Sequence, residues 1–274
     1  MTKKLEHRPS RKWGQNFLTD ANVARKIAAA VQTPPPRLLI EIGPGKGMLT
    51  RYLLEYQEPY VGIEIDPQLA AYLKETYGNL SHFHLLEGDF LEMDLQALVA
   101  NYPKHHPVVL GNIPYNITSP ILFKLLDYAT FLREAILMVQ KEVALRLVAE
   151  PGTKDYGILR ILTAVLADVT YLFTVPAARF YPRPKVDSAV VRLQFSSQYA
   201  EKIADYNLFR TIVRHSFQQR RKMLKNSLIP LLPEGIMDKL KDVWRKRPEQ
   251  LSIDEWIALS NQIAQIQRGV ANGE

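Results

Sequence analysis

The 274-residue sequence contains no cysteine. This absence excludes disulfide bonds, cysteine-ligated zinc and iron-sulfur sites, and any mechanism that depends on a thiol nucleophile. The six histidines lack the spacing of metal ligands, so we expect no metal site. The chemistry of this protein must therefore come from oxygen, nitrogen and aromatic groups.

Long apolar runs are also missing. Arg160 and Asp168 interrupt the longest candidate, residues 158–175, so it falls short of the roughly 18 apolar residues that a membrane helix needs. The N-terminal residues lack the apolar core of a signal peptide. We therefore expect a cytoplasmic protein without a membrane partner. The sequence does not indicate a protein–protein interface, so a monomer is the default expectation.

The formal net charge of +7 is concentrated at the two ends of the chain. Residues 1–14 carry five Lys or Arg against one Glu, and residues 196–274 carry 13 against nine acidic residues, so each end has a net charge of +4. The residues between them have a net charge of −1. A near-neutral body between two cationic segments favours a polyanionic substrate.

Apolar runs of strand length alternate with helix-length segments in the first part of the chain, which predicts an α/β fold with a parallel sheet. Two further runs, residues 169–175 and 188–195, are joined without a helix and predict an antiparallel pair at one edge. Seven strands with this ending are typical of the methyltransferase variant of the doubly wound, Rossmann-like sheet. The parallel strands are predicted at 38–42, 60–65, 83–86, 108–110 and 135–139, and helices at 121–128, 142–149 and 156–167.

The strand pattern stops after residue 195, and the rest of the chain indicates short helices separated by prolines and a glycine. We therefore predict two domains, residues 1–195 with the sheet and its basic N-terminal segment, and residues 196–274 as a small all-α domain.

Gly43, Gly45 and Gly47 follow the first predicted strand, where glycines let a ligand approach the backbone closely. A phosphate-binding P-loop needs a longer spacing and a Ser or Thr directly after Lys46, so that interpretation fails. The dinucleotide fingerprint needs its third Gly at Met48, which disfavours NAD without excluding it. A cofactor without a pyrophosphate fits better.

Acidic side chains lie at the end of the second predicted strand and just after the third. Glu64 lies 21 residues after Gly43, where a carboxylate can accept hydrogen bonds from both ribose hydroxyls. Asp89 follows the third strand and can accept from an adenine amino group, while Phe90 can cover the ring. These positions and the glycine loop share the carboxyl edge of one sheet, where such folds bind ligands.

Asn112-Ile113-Pro114-Tyr115 follows the fourth strand at the same edge. The Asn112 side-chain oxygen and the Ile113 carbonyl can accept the two hydrogens of an exocyclic amine, and Tyr115 can stack on the ring that carries it. This combination suits an adenine whose poorly nucleophilic N6 must be oriented for methylation.

The chain resembles the small-subunit ribosomal RNA adenine N6,N6-dimethyltransferases, the KsgA family, over about residues 8 to 260. The matching segments are 12–18, 41–50, 61–66, 88–90, 111–117, 140–144 and 180–191. The resemblance implies S-adenosylmethionine as methyl donor, and two adjacent adenines in a 3′-terminal hairpin of the small-subunit RNA as substrate. It also implies a role in 30S biogenesis, with the 30S assembly particle as partner.

The resemblance implies site residues. The cofactor-binding positions are Gln15, Asn16, Leu18, Gly43, Gly45, Glu64, Ile65, Asp89, Phe90 and Asn112. The catalytic positions are Asn112, Ile113, Pro114 and Tyr115, with Phe180 expected on the opposite face of the target base. The family usually has Leu where this chain has Ile113, a mild change because the backbone carbonyl acts there.

A basic segment in the second domain is suited to RNA phosphates. Its candidate RNA-binding residues are Arg210, Arg214, Arg220, Arg221, Lys222 and Lys225. This segment and the corner at residues 180–186 favour the small-subunit enzymes over the related large-subunit enzymes of macrolide resistance. A mainly non-catalytic ribosome assembly factor stays open as an alternative. A DNA amino methyltransferase would need a duplex-reading domain, which the short tail does not resemble.

Overall fold

The structure is a computed structural model that describes residues 7–10, 12–195, 199–228 and 245–271. The basic residues Lys3, Lys4 and Arg11 and the predicted domain boundary at residue 196 lie outside these ranges. Within them, no helix has both the length and the apolar composition needed to cross a membrane. The chain divides into two compact units, Met1–Ala144 with Val169–Phe195, and Leu145–Asp168 with Ser196–Glu274.

A seven-stranded sheet forms the centre of the first unit, in the order β4-β3-β2-β5-β6-β9-β7. Strands β2 to β6 are parallel, and β9 is antiparallel to β6. The predicted doubly wound sheet with an antiparallel ending is thus confirmed. The strands are β1 (Phe17–Leu18), β2 (Arg37–Ile42), β3 (Tyr60–Glu64), β4 (Phe83–Glu87), β5 (His106–Asn112), β6 (Glu134–Gln140), β7 (Asp168–Val175), β8 (Phe180–Tyr181) and β9 (Ser188–Gln194).

Strands β1 and β8 form a separate two-stranded ribbon. They are antiparallel, with Phe17 opposite Tyr181 and Leu18 opposite Phe180. The sequence did not predict this ribbon, because each strand has two residues and carries no periodic signal. The ribbon connects the segment before the first helix to the segment before β9.

Helices cover the sheet, and aspartates begin several of them. Asp20, Asp66 and Asp94 accept hydrogen bonds from backbone N–H groups at the first turns of α1, α3 and α4. Apolar residues at helical spacing are buried on α3 and α5, and α3 packs against β3 and β4. The helices are α1 (Ala21–Ala28), α2 (Thr50–Leu53), α3 (Pro67–Tyr77), α4 (Leu95–Ala100), α5 (Thr118–Asp127) and α6 (Lys141–Leu147).

The second unit is helical in its described parts. Trp256 is fully buried in it, with the Phe217 ring centroid 6.1 Å away, and the Tyr156 hydroxyl donates to the Leu251 carbonyl over 2.7 Å. Helix α7 packs against α8 and belongs to this unit, although its position before residue 195 predicts a place in the sheet domain. The apolar residues of α7 predict burial but do not specify which surface they cover. The helices are α7 (Ile158–Ala164), α8 (Tyr206–Gln218), α9 (Leu224–Leu228) and α10 (Ile253–Ala271).

Candidate active site

A cleft opens at the carboxyl edge of the sheet, between the ends of β2 and β5, where the strand order reverses. Gly43 and Gly45 line it, each with φ of +61°. A Cβ atom added to Gly43 would meet no atom within 4 Å, so it would project into open space. The space at the mouth of the cleft, counted together with the open solvent in it, is about 510 Å³.

Glu64 ends β3 inside this cleft and is only 3% exposed. Its Oε2 accepts from the Gly45 N–H over 2.8 Å, and its Oε1 accepts from the Asp66 N–H over 3.0 Å. Burial raises the pKa of Glu64, and these backbone hydrogen bonds oppose that rise. The carboxylate is therefore held rigidly, and each oxygen retains a lone pair for a ligand hydroxyl.

Asp89 and Phe90 follow β4 and line a neighbouring part of the cleft, together with Ile65 and Trp13. The Asp89 carboxylate accepts from the Leu91 N–H over 2.8 Å, which fixes its direction at the start of a short 3-10 helix. Phe90 is buried, whereas Ile65 is partly exposed to the cleft. The carboxylate and the apolar side chains together suit a purine ring with an amino group.

Lys124 of α5 holds this loop in place. Its Nζ donates to the Leu91 carbonyl over 2.8 Å and to the Met93 carbonyl over 2.6 Å. Sequence reasoning missed Lys124, because a lysine on a crossover helix has the same pattern as a solvated surface residue. Trp13 was also not assigned a role, although it lies within a motif that carries the family resemblance.

The Asn112–Tyr115 segment leaves β5 along the same cleft. Asn112 Nδ2 donates to the Asn16 carbonyl over 2.8 Å, and its Oδ1 has no hydrogen-bond partner among the residues that the structure describes. The buried Ile113 is anchored by its N–H, which donates to the Met138 carbonyl over 3.0 Å. The segment therefore presents Asn112 Oδ1 as an acceptor in the cleft that Glu64 and the glycine loop also line.

Tyr115 is half-buried, and its hydroxyl lies 2.8 Å from the Ser188 Oγ of β9. Burial raises the pKa of the Tyr115 phenol, so this group is neutral near pH 7. A neutral ring fixed at its hydroxyl end is suited to stacking and not to proton abstraction.

The structure brings the predicted N-terminal positions to the same cleft. Gln15 and Asn16 line it beside Glu64, and Leu18 lines it beside the glycine loop. The Gln15 Nε2 donates to Asp66 Oδ2 over 3.0 Å. Five segments that are distant in sequence therefore converge here, namely residues 13–18, 43–46, 64–65, 89–90 and 112–115.

Phe180 is placed differently from the expectation. Its ring is 4% exposed and belongs to the hydrophobic core, and it does not line the cleft. Its neighbour Tyr181 is 62% exposed. The predicted stacking of Phe180 on the target base stays a prediction, which the burial of this ring does not favour.

The basic residues of the second unit differ in their surroundings. Arg220 pairs with Glu249 and donates to the carbonyls of Thr153 and Lys154, so it holds this unit together. Arg221 and Lys222 are exposed at the end of the turn after α8. Arg214 is exposed, and Arg210 and Lys225 are half-buried. Arg214, Arg221 and Lys222 are thus the exposed cations of the predicted set.

Comparison with known proteins places these features in a family. The family model described as "Ribosomal RNA adenine dimethylase" matches residues 6–265. Ribosomal RNA small subunit methyltransferase A of Bacteroides fragilis is 43% identical over 258 residues, which are 94% of this chain and 93% of that protein.

Two solved structures share the fold over most of the chain. A dimethyladenosine transferase from Plasmodium falciparum has 25% identity and a TM-score of 0.77, with 92% of this chain and 98% of that chain covered. The 23S rRNA methyltransferase ErmE has 28% identity and a TM-score of 0.68, with 91% and 100% covered. Since the family model spans nearly the whole chain and the cleft has the expected residues, this chain belongs to the ribosomal RNA adenine dimethylase family and is an S-adenosylmethionine-dependent rRNA methyltransferase.

Proposed function

We propose that this protein dimethylates N6 of two adjacent adenines in a 3′-terminal hairpin of the small-subunit ribosomal RNA. One observation carries the proposal. The Asn112 acceptor oxygen and the Tyr115 ring line the same cleft as Glu64 and the glycine loop, so the amine-orienting groups border the cofactor site. The 43% identity to a small-subunit methyltransferase supports the choice of RNA.

S-adenosylmethionine supplies the electrophilic methyl group when it is bound. The buried Glu64 carboxylate is our candidate for the two ribose hydroxyls, and Asp89 with Phe90 and Ile65 for the adenine ring. Gly43 and Gly45 leave room for close approach of the ligand to the backbone. Gln15, Asn16 and Leu18 close the other side of the cleft.

The target adenine must leave its stack to reach this cleft. Asn112 Oδ1 and the Ile113 carbonyl would accept the two N6 hydrogens, which directs the nitrogen lone pair at the methyl group. Pro114 fixes the backbone between them and Tyr115, whose ring would cover one face of the base. The role of Phe180 on the other face requires its ring to become accessible.

The second unit would bind the RNA backbone through the exposed Arg214, Arg221 and Lys222, with the less exposed Arg210, Arg220 and Lys225 adding to the positive charge. We include in the proposal a 30S assembly particle as substrate, a monomeric enzyme and a cytoplasmic location.

The test is incubation with methyl-labelled S-adenosylmethionine and 30S or 50S particles that lack the modification, followed by nucleoside analysis. Labelled N6,N6-dimethyladenosine from 30S particles alone is expected. An Asn112→Ala variant serves as the inactive control, and its thermal unfolding checks that it is folded. Label in 50S particles would favour the large-subunit type represented by ErmE, and 30S binding without label would favour a pure assembly role. Either outcome would overturn the proposal.

A further inference from the structure

The chain before α1 is fastened to the cleft at more than one point. We call residues 7–10 and 12–18 the N-terminal strap. Its residues 13–17 line the cleft together with Glu64 and Asn112. At its C-terminal end β1 pairs with β8, but the residues before β1 have no strand partner among the described residues. Side-chain contacts must therefore hold that part of the strap in place.

His7 provides the first of these contacts. Its Nε2 lies 2.7 Å from Asp66 Oδ2, and the two side chains are 3% and 2% exposed. Gln15 Nε2 donates to the same oxygen over 3.0 Å, and Gln15 Oε1 accepts from the Ser10 N–H over 2.8 Å. His7 and Gln15, eight positions apart in the strap, thus meet on one carboxylate.

Asp66 is a fixed anchor for these contacts. Its Oδ1 accepts from the Gln68 N–H over 3.0 Å at the start of α3, and its own N–H donates to Glu64. Burial would raise the pKa of Asp66, but the hydrogen bonds from Gln15 and His7 outweigh it and lower that pKa. The ionised carboxylate makes these hydrogen bonds stronger than neutral ones.

A second fastening joins the strap to the glycine loop. Lys46 Nζ lies 3.5 Å from the His7 carbonyl and 5.1 Å from the centroid of the Phe17 ring. The His7 ring meets the same Phe17 ring edge-on, with centroids 5.7 Å apart. His7 therefore contacts the Phe17 ring of the strap, the Asp66 carboxylate and the Lys46 side chain.

The other end of this arrangement reaches the amine-orienting residue. The Asn16 carbonyl, next to Gln15, accepts the hydrogen bond from Asn112 Nδ2. Because this bond engages the amide nitrogen, the amide oxygen is the atom left for a ligand. The position of the strap thus determines which end of the Asn112 amide faces the cleft.

From these contacts we propose that His7 is a positioning residue for methyl transfer, which holds the strap through Asp66 and Gln15 and thereby orients Asn112 through the Asn16 carbonyl. The inference rests on the proposed function, since it assigns a cause to the orientation of Asn112. It goes beyond that function because it makes one histidine responsible for holding Asp66 and Gln15 in contact and, through the strap, for orienting Asn112.

The experiment compares His7→Ala, His7→Gln and a matched control, His84→Ala, an exposed histidine on β4 outside the cleft. We expect His7→Ala to lower kcat at least tenfold, because a charge-assisted hydrogen bond is lost, with a smaller rise in KM for S-adenosylmethionine. His7→Gln should recover part of kcat, since its amide can donate to Asp66. Amide hydrogen exchange in residues 12–18 should accelerate in His7→Ala and return toward wild type in His7→Gln.

A double variant separates positioning from general stabilisation. If His7 acts through Asp66, His7→Ala combined with Asp66→Asn should lower kcat no further than the worse single variant. Additive losses, or wild-type kcat and exchange rates in His7→Ala, would refute the proposal. If His7→Ala does not fold, His7→Gln is tested in its place. The proposal is then refuted if the strap amides of His7→Gln are not protected from exchange and its kcat is no higher than that of Asp66→Asn. Wild-type activity on 30S particles reports separately on the proposed function.

Discussion

Asn112 Nδ2 donates a hydrogen bond to the carbonyl oxygen of Asn16 over 2.8 Å and so joins the end of β5 to the residues before β1. The two asparagines are 96 positions apart. This bond leaves the Asn112 oxygen facing a cleft that Glu64 and the glycine loop also line. In the proposed mechanism this one contact therefore links the cofactor side of the cleft to the group that orients the target amine.

Glu64 is expected to dominate cofactor affinity. Glu64→Gln places an amide donor against the N–H of Gly45 or Asp66 and removes an acceptor for the ribose, so we expect S-adenosylmethionine affinity to fall about 10- to 100-fold. Isothermal titration calorimetry measures this affinity. The control is Glu87→Gln, since Glu87 is exposed at the paired position of β4. Equal affinities in the two variants would contradict the assigned role.

Tyr115 is expected to serve the chemical step. Tyr115→Ala removes the stacking ring, and we expect kcat to fall about 100-fold or more while S-adenosylmethionine affinity changes less than about threefold. Tyr115→Phe keeps the ring and loses only the hydrogen bond to Ser188, worth about 1 kcal/mol, so kcat should fall less than about tenfold. Equal losses of kcat and cofactor affinity in Tyr115→Ala would show that the ring packs the cofactor pocket instead.

Glu41 should make the stability of the protein depend on pH. Its buried Oε2 accepts from the hydroxyls of Thr50 and Tyr60, both over 2.7 Å, and burial raises its pKa from 4.5 to about 7. The folded state then binds more protons than the unfolded state between pH 4.5 and 7, so the free energy of unfolding falls as pH rises through this window. The full contribution is about 3 kcal/mol.

Glu41→Gln removes this titration. We expect the variant to gain stability relative to wild type as pH rises from 5 to 8, with a difference that approaches about 3 kcal/mol above pH 7. Urea unfolding at several pH values measures it, and Glu75→Gln, an exposed carboxylate on α3, is the control. A difference that stays constant across this pH range would argue against the raised pKa.

Arg221 and Lys222 should contribute to RNA affinity through phosphates. Replacing both by Gln is expected to weaken binding to small-subunit RNA and to reduce the slope of log affinity against log salt by about 1.5. Cofactor affinity should not change. Fluorescence anisotropy over a salt series provides the slope, and Lys104→Gln removes an exposed charge elsewhere as the control. An unchanged slope would exclude direct phosphate contacts by these two residues.

The amino-acid sequence by itself determined the fold class, the family and most of the cleft. Apolar runs of strand length specify a parallel sheet, and parallel strands bring their carboxyl ends to one edge. Gly43, Glu64, Asp89 and Asn112 lie at or just after the ends of four such strands, so their convergence could be inferred without coordinates. The family resemblance then supplied Gln15, Asn16 and Leu18.

Only the tertiary structure decided the contacts that no local pattern encodes. The pairing of β1 with β8, the His7–Asp66 contact and the Lys124 hydrogen bonds join residues far apart in sequence. The tertiary structure also placed Phe180 in the core and grouped α7 with the second unit. Both depend on which surface packs over an apolar side chain. Periodicity predicts that a residue is buried, but only the folded chain specifies its partner.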